Sequence, residues 1–202
     1  MHVKVWLGGE GASELGDRDR KGGERMGAVE AILRRVEPAG WEVEGATQWR
    51  HIRSYRLGAG VGGTHSDRHR IAGIALAAYE AACEVVAFVR DVDAEAERAD
   101  AIEAGIVAAQ VLFPFVQIIG GPAKPAIEGW IVAVLGHRDS DSMSRIACAA
   151  VLTEHELSGK HAEGYVEAVA KADLVRLPPG CESLRTWLTR ASTILSAAVH
   201  GK

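Results

Sequence analysis

Val3-Lys4-Val5-Trp6-Leu7-Gly8-Gly9-Glu10-Gly11-Ala12-Ser13-Glu14 and Glu84-Val85-Val86-Ala87-Phe88-Val89-Arg90-Asp91-Val92-Asp93-Ala94-Glu95 decide the reading of this chain. Each is a short apolar, β-branched run that ends in glycine or acid. Such runs predict buried parallel strands. In an open α/β sheet, ligands bind at the carboxyl ends of strands. Carboxylates gathered there repel one another unless a cation or a proton intervenes. Hard oxygen donors suit Mg²⁺ or Mn²⁺. The two stretches therefore predict a divalent-metal site.

The rest of the pattern extends the sheet. Strand 1 is expected over about 3–8. A polar, glycine-bearing segment at 17–23 leads to a helix over 24–37, stopped by Pro38-Ala39-Gly40. Strand 2 is expected over 41–49. Thr64 or Ser66 can cap a helix running to about Cys83. Strand 3 covers 85–89, a helix 94–111, and strand 4 115–119. A further helix starts near Pro125. This alternation predicts an α/β fold with a parallel sheet flanked by helices on both faces. From His137 the pattern changes to helices at about 143–155, 162–172 and 183–199. The expected division is an α/β domain over 1–136 and a helical C-terminal extension over 137–202.

Composition narrows the classes. The 202 residues are 48% hydrophobic and 25% charged, with a net charge of −4, which suits an ordinary globular chain and excludes a generally basic surface. Cys83, Cys148 and Cys181 are widely spaced and form no CxxC, so buried reduced thiols are expected. The start of the chain has no signal-peptide pattern, and no apolar run approaches the roughly 20 residues of a membrane span. The expected location is the cytoplasm, with no membrane partner.

The candidate site residues each carry two readings. Asp91 and Asp93, two apart at a strand end, point to one side of the chain and can share a metal; alternatively they cap the next helix. Glu10, between Gly9 and Gly11, can sit on a tight turn beneath a ligand. Glu14, Glu95 and Glu128 are auxiliary candidates, each also explicable as a first-turn helix acid. Arg50, Arg53, Arg56, Arg68 and Arg70, with Trp49 and Tyr55 interleaved, form the densest cationic region. They are either a nucleic-acid-binding surface or a solvated edge. No dinucleotide fingerprint, Walker A loop, HExxH or Gly-x-Ser-x-Gly elbow is present. His65 and His69 lack the further ligands that zinc requires.

Glu10-Gly11-x-Ser13-Glu14, Arg90-Asp91-x-Asp93 and Glu128-Gly129-Trp130 together resemble a Toprim domain. That module occurs in topoisomerases, primases and overcoming-lysogenization-defect nucleases. The chain is most similar to a small family of stand-alone bacterial Toprim-like proteins, over about residues 2–136. The resemblance implies a four-stranded parallel sheet with strands 1 and 3 adjacent. It implies that Glu10, Asp91 and Asp93 are catalytic and metal-binding, that the cofactor is Mg or Mn, and that the activity is phosphodiester hydrolysis or other phosphotransfer on nucleic acid. Some relatives work beside an ATPase partner, often in phage defence, so an alternative role is that of a non-catalytic interaction subunit. Tyr55, Tyr79 and Tyr165 match no strand-breaking nucleophile, which disfavours transesterification.

Overall fold

The computed structural model describes residues 2–55, 66–93, 95, 97–157 and 161–201. Four strands form a parallel sheet: β1 (Val3–Gly9), β2 (Trp41–Gln48), β3 (Val85–Phe88) and a fourth at Gln117–Ile119. Their spatial order places β1 between β2 and β3, with Gln117–Ile119 beyond β3. Just past the ends of β3 and of the fourth strand, two short segments pair in parallel. These are β4 (Arg90–Asp91) and β6 (Pro122–Ala123), so Gln117–Ile119 is β5. The fold class is the α/β, all-parallel arrangement that the sequence pattern predicts.

The side-chain alternation of each strand builds two cores. Val3, Val5, Leu7, Val85, Ala87, Val89 and Ile119 face one side. There they meet α2 (Ala28–Val36), α5 (Ile127–Val134), α7 (His161–Lys171) and α8 (Glu182–His200). Val86, Phe88 and Ile118 face the other side, against α3 (Ser66–Glu80) and α4 (Arg98–Leu112). Ile71, Ile74 and Ala78 of α3 are fully buried there. Two shorter helices, α1 (Ala12–Leu15) and α6 (Arg145–Glu154), complete the set that positions the site.

Several boundaries move for local reasons. The helix expected from Glu24 begins at Ala28, because Gly27 is extended and packs against the Glu14 backbone. Met26 is therefore left exposed. The pairing of β2 with β1 breaks at Glu44, where a bulge shifts the register from Val5↔Val43 to Trp6↔Gly45. Gly45 is needed there: a Cβ would stand 2.6 Å from the Trp6 ring, whose Nε1 donates to Thr47 Oγ1 at 3.1 Å. Trp49 lies just past β2, on a 3₁₀ turn (Trp49–His51).

The C-terminal helices share the core of the sheet. Trp187 on α8 is buried, donates its indole N–H to the Phe88 carbonyl at 3.0 Å and packs on Trp130 with ring centroids 5.6 Å apart. Trp130 in turn donates to Ser183 Oγ at 2.8 Å. All three cysteines are buried and unpaired. No helix among the described residues is long and apolar enough to cross a membrane.

Replacing Trp187 by alanine is expected to cost about 3–5 kcal/mol, the usual range for a buried tryptophan. Because that side chain joins α8 to β3, chemical denaturation should show one cooperative transition shifted as a unit. Two separate transitions for the segments before and after residue 136 would contradict the shared core.

Candidate functional site: a carboxylate–arginine network at the strand ends

Arg90 and Asp91 are consecutive in a strand, so they project to opposite sides. This divides the charged groups at the carboxyl edge of the sheet into two connected halves.

On the α3–α4 side, Arg90 pairs with Glu10, and its Nε stands 3.3 Å from Asp67 Oδ1. Its guanidinium lies 5.3 Å from the centre of the Trp49 ring, within cation–π range. Asp67 is buried and also accepts the Trp49 indole N–H at 3.0 Å. Arg98 reaches Asp67 Oδ2 at 3.1 Å, Asp93 Oδ2 at 2.9 Å and Glu95 Oε1 at 2.5 Å. The Arg98–Asp67 approach is an ion pair whose angle falls outside hydrogen-bond geometry. Burial, followed by the neighbouring Arg98 charge, lowers the pKa of Arg90.

On the side of α1, α5 and α6, two carboxylates are buried, Glu14 and Asp91. Glu14 is buried at the start of α1, where its Oε2 accepts the Gly11 amide at 2.9 Å. Gly9 is required beside it, since a Cβ there would come 2.6 Å from the Glu14 Cβ. Asp91 is buried and accepts the Ile127 amide at 3.0 Å, which caps α5 rather than the helix that follows Asp91 in sequence. Arg145, half exposed at the start of α6, pairs with Asp91 and places its Nε 2.9 Å from Asp93 Oδ1. Burial pushes the Glu14 carboxyl up to about 7, and the Glu128 charge adds to this while Arg145 opposes it. Burial likewise pushes Asp91 up to about 7; Glu14 and Glu128 add to this, and Arg145 again opposes it. Tyr165 on α7 closes this side, its hydroxyl pKa raised by burial and by Glu128, Glu14 and Asp91.

The expected site residues are thus divided. Asp91 and Asp93 share Arg145, and Asp93 also reaches Arg98 in the other half. Asp93 holds this place with a left-handed backbone, φ 54°, its amide donating to the Pro125 carbonyl at 2.9 Å. Asparagine and aspartate tolerate that conformation better than other side chains. Glu10 lies with Arg90, whereas the acids that raise the Asp91 pKa are Glu14 and Glu128. Glu95 is exposed and bound to Arg98. Arg98, Arg145 and Asp67 carry much of the network, yet no local motif marks them. Only the packing of distant elements brings them to their opposite charges.

The donor chemistry of Glu14, Asp91 and Glu128 suits Mg²⁺ or Mn²⁺. Glu128 Oε2 is enclosed without a hydrogen-bond partner, an arrangement that a cation or a proton would relieve. Among the described residues, no three carboxylate, imidazole or thiol groups converge as a ready-made metal site. Arg145 stands as counter-ion to Asp91 and Asp93.

Of the cationic stretch, Arg50 and Arg53 are exposed, Arg68 and Arg70 are half-buried, and Arg56 lies outside the described residues. Arg68 Nε is enclosed, and its Cα lies beside Gly105 of α4. Trp49 is buried against Phe88, with ring centroids 5.6 Å apart, and cannot stack on a base. Tyr55 is partly exposed and packs edge-on against Phe113. His69 Nδ1 lies 3.1 Å from the Tyr55 carbonyl, and His65 lies outside the described residues.

The raised carboxyl pKa values set a direction for stability. Glu14 and Asp91 hold protons more tightly folded than unfolded, so between about 4 and about 7 the folded state binds more protons. Their contribution is fully favourable below the unfolded values and is lost as pH rises through 7. In a metal-free buffer, the melting temperature should fall between pH 5 and pH 8. Asp91→Asn should flatten that fall and melt higher than the wild type at pH 8. An unchanged pH profile in the variant would refute the coupling. Comparison with protein-family models, curated proteins and solved structures finds no match to this chain.

Proposed function

We propose that the strand-end network is the active site of a Mg²⁺- or Mn²⁺-dependent phosphotransfer enzyme acting on nucleic acid, by phosphodiester hydrolysis. The observation that carries this reading is the group of mutually repelling carboxylates Glu14, Asp91 and Glu128, balanced by one half-exposed arginine. It shares Asp91 with the set Glu10, Asp91 and Asp93 that the resemblance to Toprim-like proteins implies, and Glu14 and Glu128 lie in the same three motifs. Glu14, Asp91 and Glu128 would hold the ion, with Asp93 and Glu10 at the rim. A bound divalent ion would neutralise developing phosphoryl charge and make bound water more acidic.

The remaining roles fall to the chain itself. Arg145, half exposed beside Asp91, can turn to pair with a phosphate oxygen. Arg50 and Arg53 are exposed and can follow a phosphate backbone. Arg90 and Arg98 hold Glu10, Asp67 and Asp93 in place.

A second reading has its own support. Glu10, Asp91 and Asp93 are already neutralised by Arg90, Arg145 and Arg98. Val107, Val111 and Phe115, at the end of α4 and just beyond, are 66%, 76% and 81% exposed. Both features suit a non-catalytic subunit that docks on another protein, such as an ATPase partner.

The two readings separate in one set of measurements. On the enzyme reading, millimolar Mg²⁺ or Mn²⁺ raises the melting temperature, since a ligand specific to the folded state stabilises it by mass action. Cleavage of DNA or RNA should follow the ion and vanish in Asp91→Ala. Arg145→Gln should bind the ion more tightly than wild type, because the competing positive charge is gone, and should be less stable in EDTA at pH 8. Equal melting with and without either ion, together with no cleavage of single- or double-stranded DNA or RNA, would favour the docking subunit.

A further inference from the structure

A separate pair of side chains lies away from the strand ends. His137 follows α5, and His155 is the residue that ends α6. Their Nε2 atoms are 3.1 Å apart, with the ring planes at 90° and the centroids separated by 5.3 Å. Neither residue takes part in the carboxylate network or in the hydrophobic core.

We propose that His137 and His155 form a binding site for one divalent transition-metal ion of the imidazole-preferring class, such as Zn²⁺, Ni²⁺ or Cu²⁺. Three observations support it. The first is separation. Two imidazole nitrogens each about 2.0–2.1 Å from one ion, at angles from square to tetrahedral, stand about 2.9–3.4 Å apart. The observed 3.1 Å lies within that span. As it stands, the contact is an N–H···N hydrogen bond between nearly end-on rings. Rotation of each ring about its soft terminal torsion would be needed to turn both lone pairs towards an ion beside the contact.

The second observation is anchorage. The His137 amide donates to the Val132 carbonyl at 3.2 Å, and the His155 amide donates to the Val151 carbonyl at 3.1 Å. Both ligands are therefore fixed by the last turns of two helices whose residues pack together, and little order is lost on binding. The third observation is the local field. Both histidines sit at helix carboxyl ends, where the helix dipole favours positive charge. Exposed Glu154 and Glu156 flank His155, against the single exposed Arg138 beside His137. Water would complete the coordination, as is usual for an ion held by few protein ligands. Imidazole donors select this class of metal over Mg²⁺, which prefers oxygen.

The test uses the full chain without a histidine tag, stripped with EDTA, and Zn²⁺ or Ni²⁺ as the titrant in isothermal titration calorimetry. Wild type should bind one ion at this site, more weakly at acid pH because a protonated imidazole has no free lone pair. His137→Gln and His155→Gln should each weaken binding by about tenfold or more. His200→Gln, which alters a histidine paired with Glu37 elsewhere on the surface, should leave it unchanged. Millimolar Mg²⁺ in the cell, an ion that prefers oxygen donors, should also leave it unchanged, which separates this site from the strand-end carboxylates. Circular dichroism in EDTA checks that the variants fold. Absence of Zn²⁺ and Ni²⁺ binding by wild type, or equal binding by both His→Gln variants, would overturn the proposal.

Discussion

The rest of this structure depends on the burial of one charged group, the Asp91 carboxylate. An isolated carboxylate removed from water is costly, and it persists only with hydrogen bonds, opposite charge or a proton. Asp91 draws on all three. It accepts the first amide of α5, pairs with Arg145 at the start of α6, and has a pKa raised to about 7. Each solution ties a different element to the end of the sheet. The amide orients α5, the arginine brings in α6, and the repulsion from Glu14 and Glu128 keeps the space between α1 and α5 electrostatically poised.

The two halves of the network differ in kind. Around Arg90 and Arg98, acids and guanidinium groups are closely matched, and Asp67 is gripped by Trp49 and two arginines. This half is a rigid support. Around Glu14, Asp91 and Glu128, the acids repel one another, and Arg145, the counter-ion of Asp91, is half exposed. Asp93 joins the halves by contacting both Arg98 and Arg145. A change at either arginine should therefore be felt in both.

The segment after residue 136 belongs to this centre as much as the sheet does. Arg145 and Tyr165 line the carboxylates, and Trp187 seals the end of β3 through the Phe88 carbonyl. Arg190 also pairs with Glu103 of α4 at 2.9 Å, so α8 links both layers. A region that reads as an extension in composition is, in space, the wall and the counter-charge of the candidate site.

Strand identity, helix identity and the parallel α/β class were legible along the chain, because buried parallel strands need continuous β-branched runs and helices need a period near 3.6. The acids at the ends of β1 and β3 were legible as well, since acids that follow apolar strands are conspicuous. Their partners were not. Arg90 and Asp91 are neighbours in sequence yet serve opposite sides, and Arg145 reaches Asp91 across 54 residues. Asp91 caps a helix 36 residues away rather than the adjacent one. Local pattern records which face of an element is apolar. It does not record which charge meets which, because an ion pair between distant elements is set by the packing of helices and by the dielectric that packing creates. Periodicity therefore settled the class of fold and the edge of the sheet at which to look, while only three-dimensional packing gave Asp91 its amide and its arginine.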